Sequence, residues 1–342
     1  MFLAKRPTPL QAADAVSLPD IRQTRPARPK LWAVGLLAAF AWLAVAALTK
    51  GWPDADDWEQ TDLFAIIVAG IGGVLAVAAL GGWTLGAEIK ALRHAGPWLL
   101  VIAAVLGGWE LITAKLDLLP RPFFAPPQAL LEVFTDDWPR LGSSVWHSLA
   151  LLAEGYAIGA AVGFAFGIAV GWSRVAGYWA HPALRLVGPL PATAWLPLAF
   201  FIFPTSHSAS VFLIALATGF PVTVLTWSGV ASVNRAYYDV ARTMGASQRF
   251  LVLKVAIPAA MPSVFVGLFM GLGSSFSVLV VAEMMGVKAG LGWYLQWAQG
   301  WASYANMYAA LLVMALMCSS LITLLFRLRD RLLSWQKGLV QW

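Results

Sequence analysis

The chain has 342 residues, 60% of them hydrophobic and 12% charged, with a formal net charge of +6 and a mean hydropathy of +0.72. A soluble domain carries about 45–50% apolar and about 25% charged residues, and no soluble globule has the interior to hide this excess, so most apolar side chains face lipid or another membrane helix. A soluble enzyme and a disordered regulator are excluded. So is a disulfide scaffold, because the lone cysteine, Cys318, lies in an apolar run. The basic residues lie between apolar spans, where they orient a membrane protein rather than bind nucleic acid.

Residues 1–30 are polar and hold Pro7, Pro9, Pro19, Pro26 and Pro29, which predicts a mobile cytoplasmic tail. A bilayer core takes about 20 apolar helical residues, and eight stretches qualify: 31–49, 63–82, 97–114, 144–171, 184–203, 209–229, 263–286 and 307–326. The predicted fold is therefore an all-α polytopic membrane helix bundle. The first stretch reads as an uncleaved helix rather than a signal peptide, since the charged region before it is too long. The fourth contains Glu154. The fifth is interrupted by Pro189, Pro191, Pro197 and Pro204. Each proline removes a backbone donor, so this span is expected to be irregular and packed inside the bundle.

With the amino terminus in the cytoplasm, eighteen Lys and Arg fall on the cytoplasmic side and five on the other: Lys50, Lys115, Arg121, Arg140 and Lys288. That asymmetry supports eight spans with both termini inside. The acidic cluster Asp54, Asp56, Asp57, Glu59 and Asp62 then lies outside.

No G-x-x-x-x-G-K-[ST] phosphate loop and no H-E-x-x-H motif occurs. His94, His147, His181 and His207 are scattered among span ends and loops, and they read as interfacial. One loop, 230–262, is longer than its neighbours. In it Asn234 can cap a helix, Asp239 lies in an early turn and Gly245 can end the helix. Tyr237, Val240, Ala241 and Met244 share one face by three- and four-residue spacing, with Tyr238 and Arg242 on a neighbouring face. A second helical stretch, 247–256, runs up to Pro258 and Pro262. Such a hairpin can dock a soluble partner or rest on the lipid surface, and physics alone leaves both readings open.

Asp239-Val-Ala-Arg-Thr-Met-Gly245, nine residues, then Val255-Ala-Ile-Pro258 resembles the E-A-A-x-x-x-G-x(9)-I-x-L-P motif of the permease subunits of bacterial ABC importers. Asp239 stands in place of the motif's Glu, Val240 in place of its first Ala, and Ile257 in place of its Leu. The resemblance covers roughly 97–340. Leu119-Pro-Arg-Pro-Phe-Phe-Ala-Pro-Pro-Gln128, Pro189-Leu-Pro-Ala-Thr-Ala-Trp-Leu-Pro-Leu198, Val281-Ala-Glu-Met284 with Gly290-Leu-Gly292, and Leu333-Ser-Trp335 are similar to stretches of the nitrate, sulfonate and taurine permeases.

The resemblance implies a type I importer in the bacterial inner membrane, with a six-helix core. Two permease chains form a homodimer, two ATP-binding cassette subunits sit below, and an extracytoplasmic binding protein delivers substrate. The implied organisation is a tail at 1–30, two extra helices with an acidic loop at 31–96, the core at 97–330 with its coupling loop 230–262, and a cytoplasmic tail at 331–342. Coupling to the ATPase is expected at Arg235, Tyr238, Asp239, Ala241, Arg242, Gly245 and Pro258. Candidate pathway residues are Trp195, Ser274, Ser275, Ser277 and Glu283, each with close packing as the alternative reading. The chain is expected to be no enzyme and to hold no cofactor or metal, with ATP and Mg on the partner. The cargo class is a small anion such as a sulfonate, taurine or nitrate. A thiamine-pyrimidine precursor is the alternative cargo. An ion-gradient transporter, the less favoured alternative, should show inverted repeats and buried mid-membrane charges, and the sequence shows no repeat and few such charges; a membrane enzyme should show a cluster of ionisable residues at one face, which the scattered histidines and the acidic loop 54–62 do not supply.

Overall fold

The computed structural model describes residues 32–81 and 86–336, and among these every regular element is helical. The tail 1–30 and the last residues of the carboxy-terminal tail, 337–342, lie outside the described residues. In chain order the elements are α1 (Ala33–Gly51), α2 (Thr61–Leu80), α3 (Gly86–Glu110), α4 (Pro127–Asp136) and α5 (Trp138–Trp172). Then come α6 (Arg174–Val187), α7 (Leu196–Ile202), α8 (Ser206–Ala231), α9 (Arg235–Thr243), α10 (Gln248–Phe250), α11 (Ile257–Gly286), α12 (Leu291–Gly300) and α13 (Tyr304–Leu332). Among the described residues seven runs are long and apolar enough to cross a membrane, or eight if a bent pair counts as one. Several helices outrun their apolar stretches, because hydropathy reports the part that fits the bilayer while helical hydrogen bonding continues past it. α5 starts at Trp138 rather than 144, and α11 continues back through a π segment, Leu251–Ala256, to α10.

Two compact units divide the chain, Met1–Ala44 with Val68–Ala104, and Val45–Ile67 with Val105–Trp342. In the first, Trp42 donates its indole N–H to Leu99 O at 3.0 Å. The second unit is organised about α8. On α5, Gly155, Gly159, Gly163, Gly167 and Gly171 recur every four residues and face α8. A Cβ on Gly155 would stand 2.7 Å from Ile214, on Gly163 2.6 Å from Gly219 O, and on Gly167 2.6 Å from Thr226. Spacing of four keeps these positions on one helix face, and the missing side chains let two backbones approach closely. Thr223 Oγ1 crosses the seam to Gly163 O at 3.2 Å. α11 meets the other side of α8 in the same manner through Gly267 and Gly271, whose added Cβ atoms would lie 3.1 Å from Val222 Cα and from Thr218 O.

The fifth span is irregular as expected, but it is not packed inside the chain. α6 and α7 are bent by 87° across the break that holds Pro189 and Pro191. Only Gly177, Ala180, Leu196 and Ala199 are buried, while Leu186 is 75% and Phe201 87% exposed. The prolines break the helix, yet the backbone polarity they free is carried on the surface of this chain rather than in its core.

A buried ionic cluster gathers the end of α1, the end of α3 and the start of α4. α3 closes in a π turn, Leu111–Lys115. Lys115 is buried, pairs with Asp54 at 2.6 Å, and donates to Thr49 O at 2.7 Å and Trp52 O at 2.6 Å, so an ammonium covers carbonyls that the end of α1 leaves free. Glu110, also buried, accepts from Thr49 Oγ1 at 2.7 Å and Gln128 Nε2 at 3.2 Å. Lys115→Met would leave Asp54 and Glu110 without their cation. Breaking a buried pair costs about 3–5 kcal/mol, so the detergent-extracted variant is expected to unfold at a clearly lower temperature. An unchanged Tm would show that this cluster does not hold the three segments together.

Candidate functional site

The long loop folds as the sequence predicts. Asn234 Oδ1 accepts from Ala236 N at 3.0 Å and starts α9. The helix closes at Gly245, whose φ of +81° places it in the left-handed region where a side chain is strained. Gly245 N donates to Arg242 O at 2.9 Å and Ala246 N to Ala241 O at 3.0 Å, the paired bonds of a Schellman ending. Ser247 then caps the next helix through Phe250 N at 3.3 Å. α11 opens with Pro258 in its first turn, behind the π segment. Pro258 has no amide to donate to the preceding turn, in keeping with the widened winding there.

No side chain of α9 is buried. Tyr237, Val240 and Met244 present an exposed apolar row, Met244 being 83% exposed, and Phe250 and Leu253 beyond the turn are exposed as well. Ala241, on the same face by spacing, is half-buried at its edge. Arg235 is exposed in the first turn. Asp239 and Arg242 pair at 3.5 Å, both largely exposed, a contact worth at most about 1 kcal/mol. Tyr238 points the other way: it is half-buried against the cluster of Val230, Ala256 and Ala260 and meets Trp172 edge-on at 5.7 Å. Burial pushes its phenolic pKa up. Tyr238 thus anchors α9 to α5, α8 and α11, while the residues around it face outward.

The candidate pathway residues divide into three groups by exposure. Ser274 and Ser277 are exposed, on a stripe of α11 with Val266, Met270 and Gly273. Trp195 is half-buried against the main core. Ser275 and Glu283 require correction, because both face the chain's interior. Ser275 Oγ donates to Leu272 O at 2.9 Å within its own helix. Glu283 is buried, and its Oε1 accepts from Ser148 Oγ at 2.7 Å and its Oε2 from Gly292 N at 2.7 Å. Ser148 Oγ in turn accepts from Leu291 N at 2.8 Å. The carboxylate and the serine together satisfy the free amides at the start of α12. Gly290, at φ +104°, turns the chain over the carboxylate, and a Cβ there would overlap it.

Residues 159–337 match the family model described as "Binding-protein-dependent transport system inner membrane component". The chain belongs to this family. A probable ABC transporter permease protein of Brucella melitensis is 30% identical over 57% of this chain and 78% of its own length. The nitrate import permease protein NrtB of Synechococcus elongatus is 27% identical over 58% of this chain and 74% of its own. SsuC of Escherichia coli, named for aliphatic sulfonate transport, is 29% identical over 60% of this chain and 78% of its own. The family segment takes in the later part of α5 and all of α6 to α13, while α1 to α4 lie before it.

Within this inner membrane component, sequence reasoning missed two features. The five-glycine repeat on α5 was visible as a spacing of four. The second is a polar node where Tyr294, fully buried on α12, donates to Asp137 Oδ2 at 2.7 Å and receives Asn306 Nδ2 at 2.5 Å. Burial, and then the bond to Asp137, push the Tyr294 hydroxyl well above its ordinary pKa. No local signal marks these three residues as neighbours.

Proposed function

We propose that this chain is the permease of an ATP-driven importer of a small oxyanion such as nitrate or a sulfonate. It would work as a pair of permease chains with two ATP-binding cassette subunits and an extracytoplasmic binding protein. ATP and Mg would be held by the partner, so that this chain itself catalyses nothing. α9 would face the cytoplasm, and both termini would lie on that side of the inner membrane, a placement that the Lys and Arg asymmetry supports.

The observation that carries the reading is the outward apolar row Tyr237, Val240 and Met244, on a helix held to the bundle by Tyr238. An amphipathic helix with no cover among the described residues fits a groove on another protein. The relatives named for nitrate and sulfonate favour an anion over a pyrimidine precursor. Family membership leaves nothing in favour of ion-gradient drive. Capture of the cognate ATP-binding subunit by the detergent-extracted chain tests the reading. Val240→Asp with Met244→Asp removes no buried contact, and is expected to reduce capture at least about tenfold, a charge in a desolvated contact costing more than 1.4 kcal/mol. Gly245→Pro is expected to do the same by dismantling the turn. A wild-type chain that captures no ATPase subunit, or variants that capture it as well as wild type, would refute the coupling role.

A further inference from the structure

Two ionisable side chains in the membrane-crossing part of the chain take no part in coupling or in the core. Glu154 lies near the middle of α5, a helix of 35 residues, about 52 Å long at 1.5 Å per residue. No placement of a hydrocarbon layer about 30 Å thick wholly on such a helix leaves residue 154 outside it. Yet the Glu154 side chain is 50% exposed and meets His207, in the first turn of α8 and 57% exposed, at 2.9 Å. The same edge of α5 continues through His147 and Ser143, both exposed, with His147 Nδ1 2.8 Å from Ser143 O. At about 100° per residue, positions 143, 147 and 154 fall within about 40° of one another.

About 120° round the helix, the character of α5 changes. Trp146, Leu149 and Tyr156 line an apolar crevice of about 500 Å³ with Leu272 of α11 and Leu325 of α13. Over residues 143–156, one side of α5 therefore suits acyl chains and the other does not, until exposed Ile158 follows Glu154 one turn on. A charged side chain at the centre of a spanning helix is strongly disfavoured when it meets lipid. The polar edge must be wetted or covered by polar groups.

Resting on the permease reading above, we propose that this edge lines the water-filled outer mouth of the translocation route, and that the Glu154–His207 pair is a specificity-determining contact for the anion that passes. The imidazole offers a donor to an oxyanion, while the carboxylate repels it and occupies that donor. Cargo that competes for His207 is admitted at the expense of the pair.

Thiol accessibility tests this in the full chain in its own membrane. Cys318 is replaced by alanine, and Glu154→Cys, His147→Cys and, as a lipid-facing control, Leu324→Cys are made one at a time. All three positions are exposed in the chain, so none of the substitutions disturbs the core. Membrane-impermeant sulfonate-bearing methanethiosulfonate, added from outside, is expected to modify positions 154 and 147 at least about tenfold faster than 324, the ratio set by water against lipid. Nitrate or an alkanesulfonate is expected to slow the reaction at 154. Reaction at 154 and 147 as slow as at 324 overturns the proposal. So does ready oxidation of the 154 variant to a disulfide-linked pair of chains, which would make the edge a contact between copies. Labelling needs no ATPase subunit, so its failure is separate from a failure of coupling.

Discussion

Gly163→Leu is expected to keep the chain from reaching its folded state, while Gly273→Leu leaves folding intact. Both glycines lie in spanning helices, and hydropathy alone would rank the substitutions as equal. They differ in what the new side chain meets. At Gly163 even a Cβ would sit 2.6 Å from Gly219 O and 3.0 Å from Gly219 Cα, whereas at Gly273 it would meet nothing within 4 Å among the described residues. Overpacking against movable side chains costs about 1–3 kcal/mol. Here the obstacle is the backbone of α8, which has no rotamer to change, so the cost is expected to exceed about 4 kcal/mol, the range of exceptional substitutions. The readout is the size-exclusion profile and unfolding temperature of the detergent-extracted protein. A monodisperse Gly163→Leu chain with the wild-type Tm would show that the glycine seam is not required.

Glu283→Ala is expected to lower the unfolding temperature markedly and to open the segment before α12 to protease. The substitution leaves the Ser148 hydroxyl and the Gly292 amide in a buried site without their acceptor. Each orphaned donor costs about 1–3 kcal/mol. Glu283→Gln is expected to fall between alanine and wild type, because its carbonyl replaces one acceptor while its amide group faces a donor. Were Glu283 a pathway residue alone, alanine would alter transport and leave Tm unchanged, and that outcome would refute the capping role.

The sequence makes some of this legible for identifiable reasons. The α9 hairpin is readable because its cap, Asn234, and its stop, Gly245, act on residues two to four positions away. The glycine repeat on α5 is equally local, but a search for apolar spans passes over it, since glycine dilutes hydropathy while it tightens packing. Glu283 reads as a channel residue because its partner Ser148 is 135 positions distant, and an ionisable group in a span signals function until that partner is known. Lys115 reads as a loop lysine at a membrane face, and no local pattern reveals that the free carbonyls at Thr49 and Trp52 converge on it. The fifth span shows the converse. Its prolines announce the break plainly, but which way the broken segment faces depends on neighbours that proline content does not encode.

Thr218 stands on α8 between the two glycine seams, close to Gly159 on one side and to Gly271 on the other. A helix held on both flanks by backbone-to-backbone contact cannot slide by one ridge without losing register on both sides at once. The trio α5, α8 and α11 therefore behaves as a stiff lever, and α9, tied to all three through Tyr238, is its handle. Were α9 to take the push of an ATP-binding subunit, as proposed above, the trio would carry that displacement as one body, and yielding would fall to the bent α6–α7 segment.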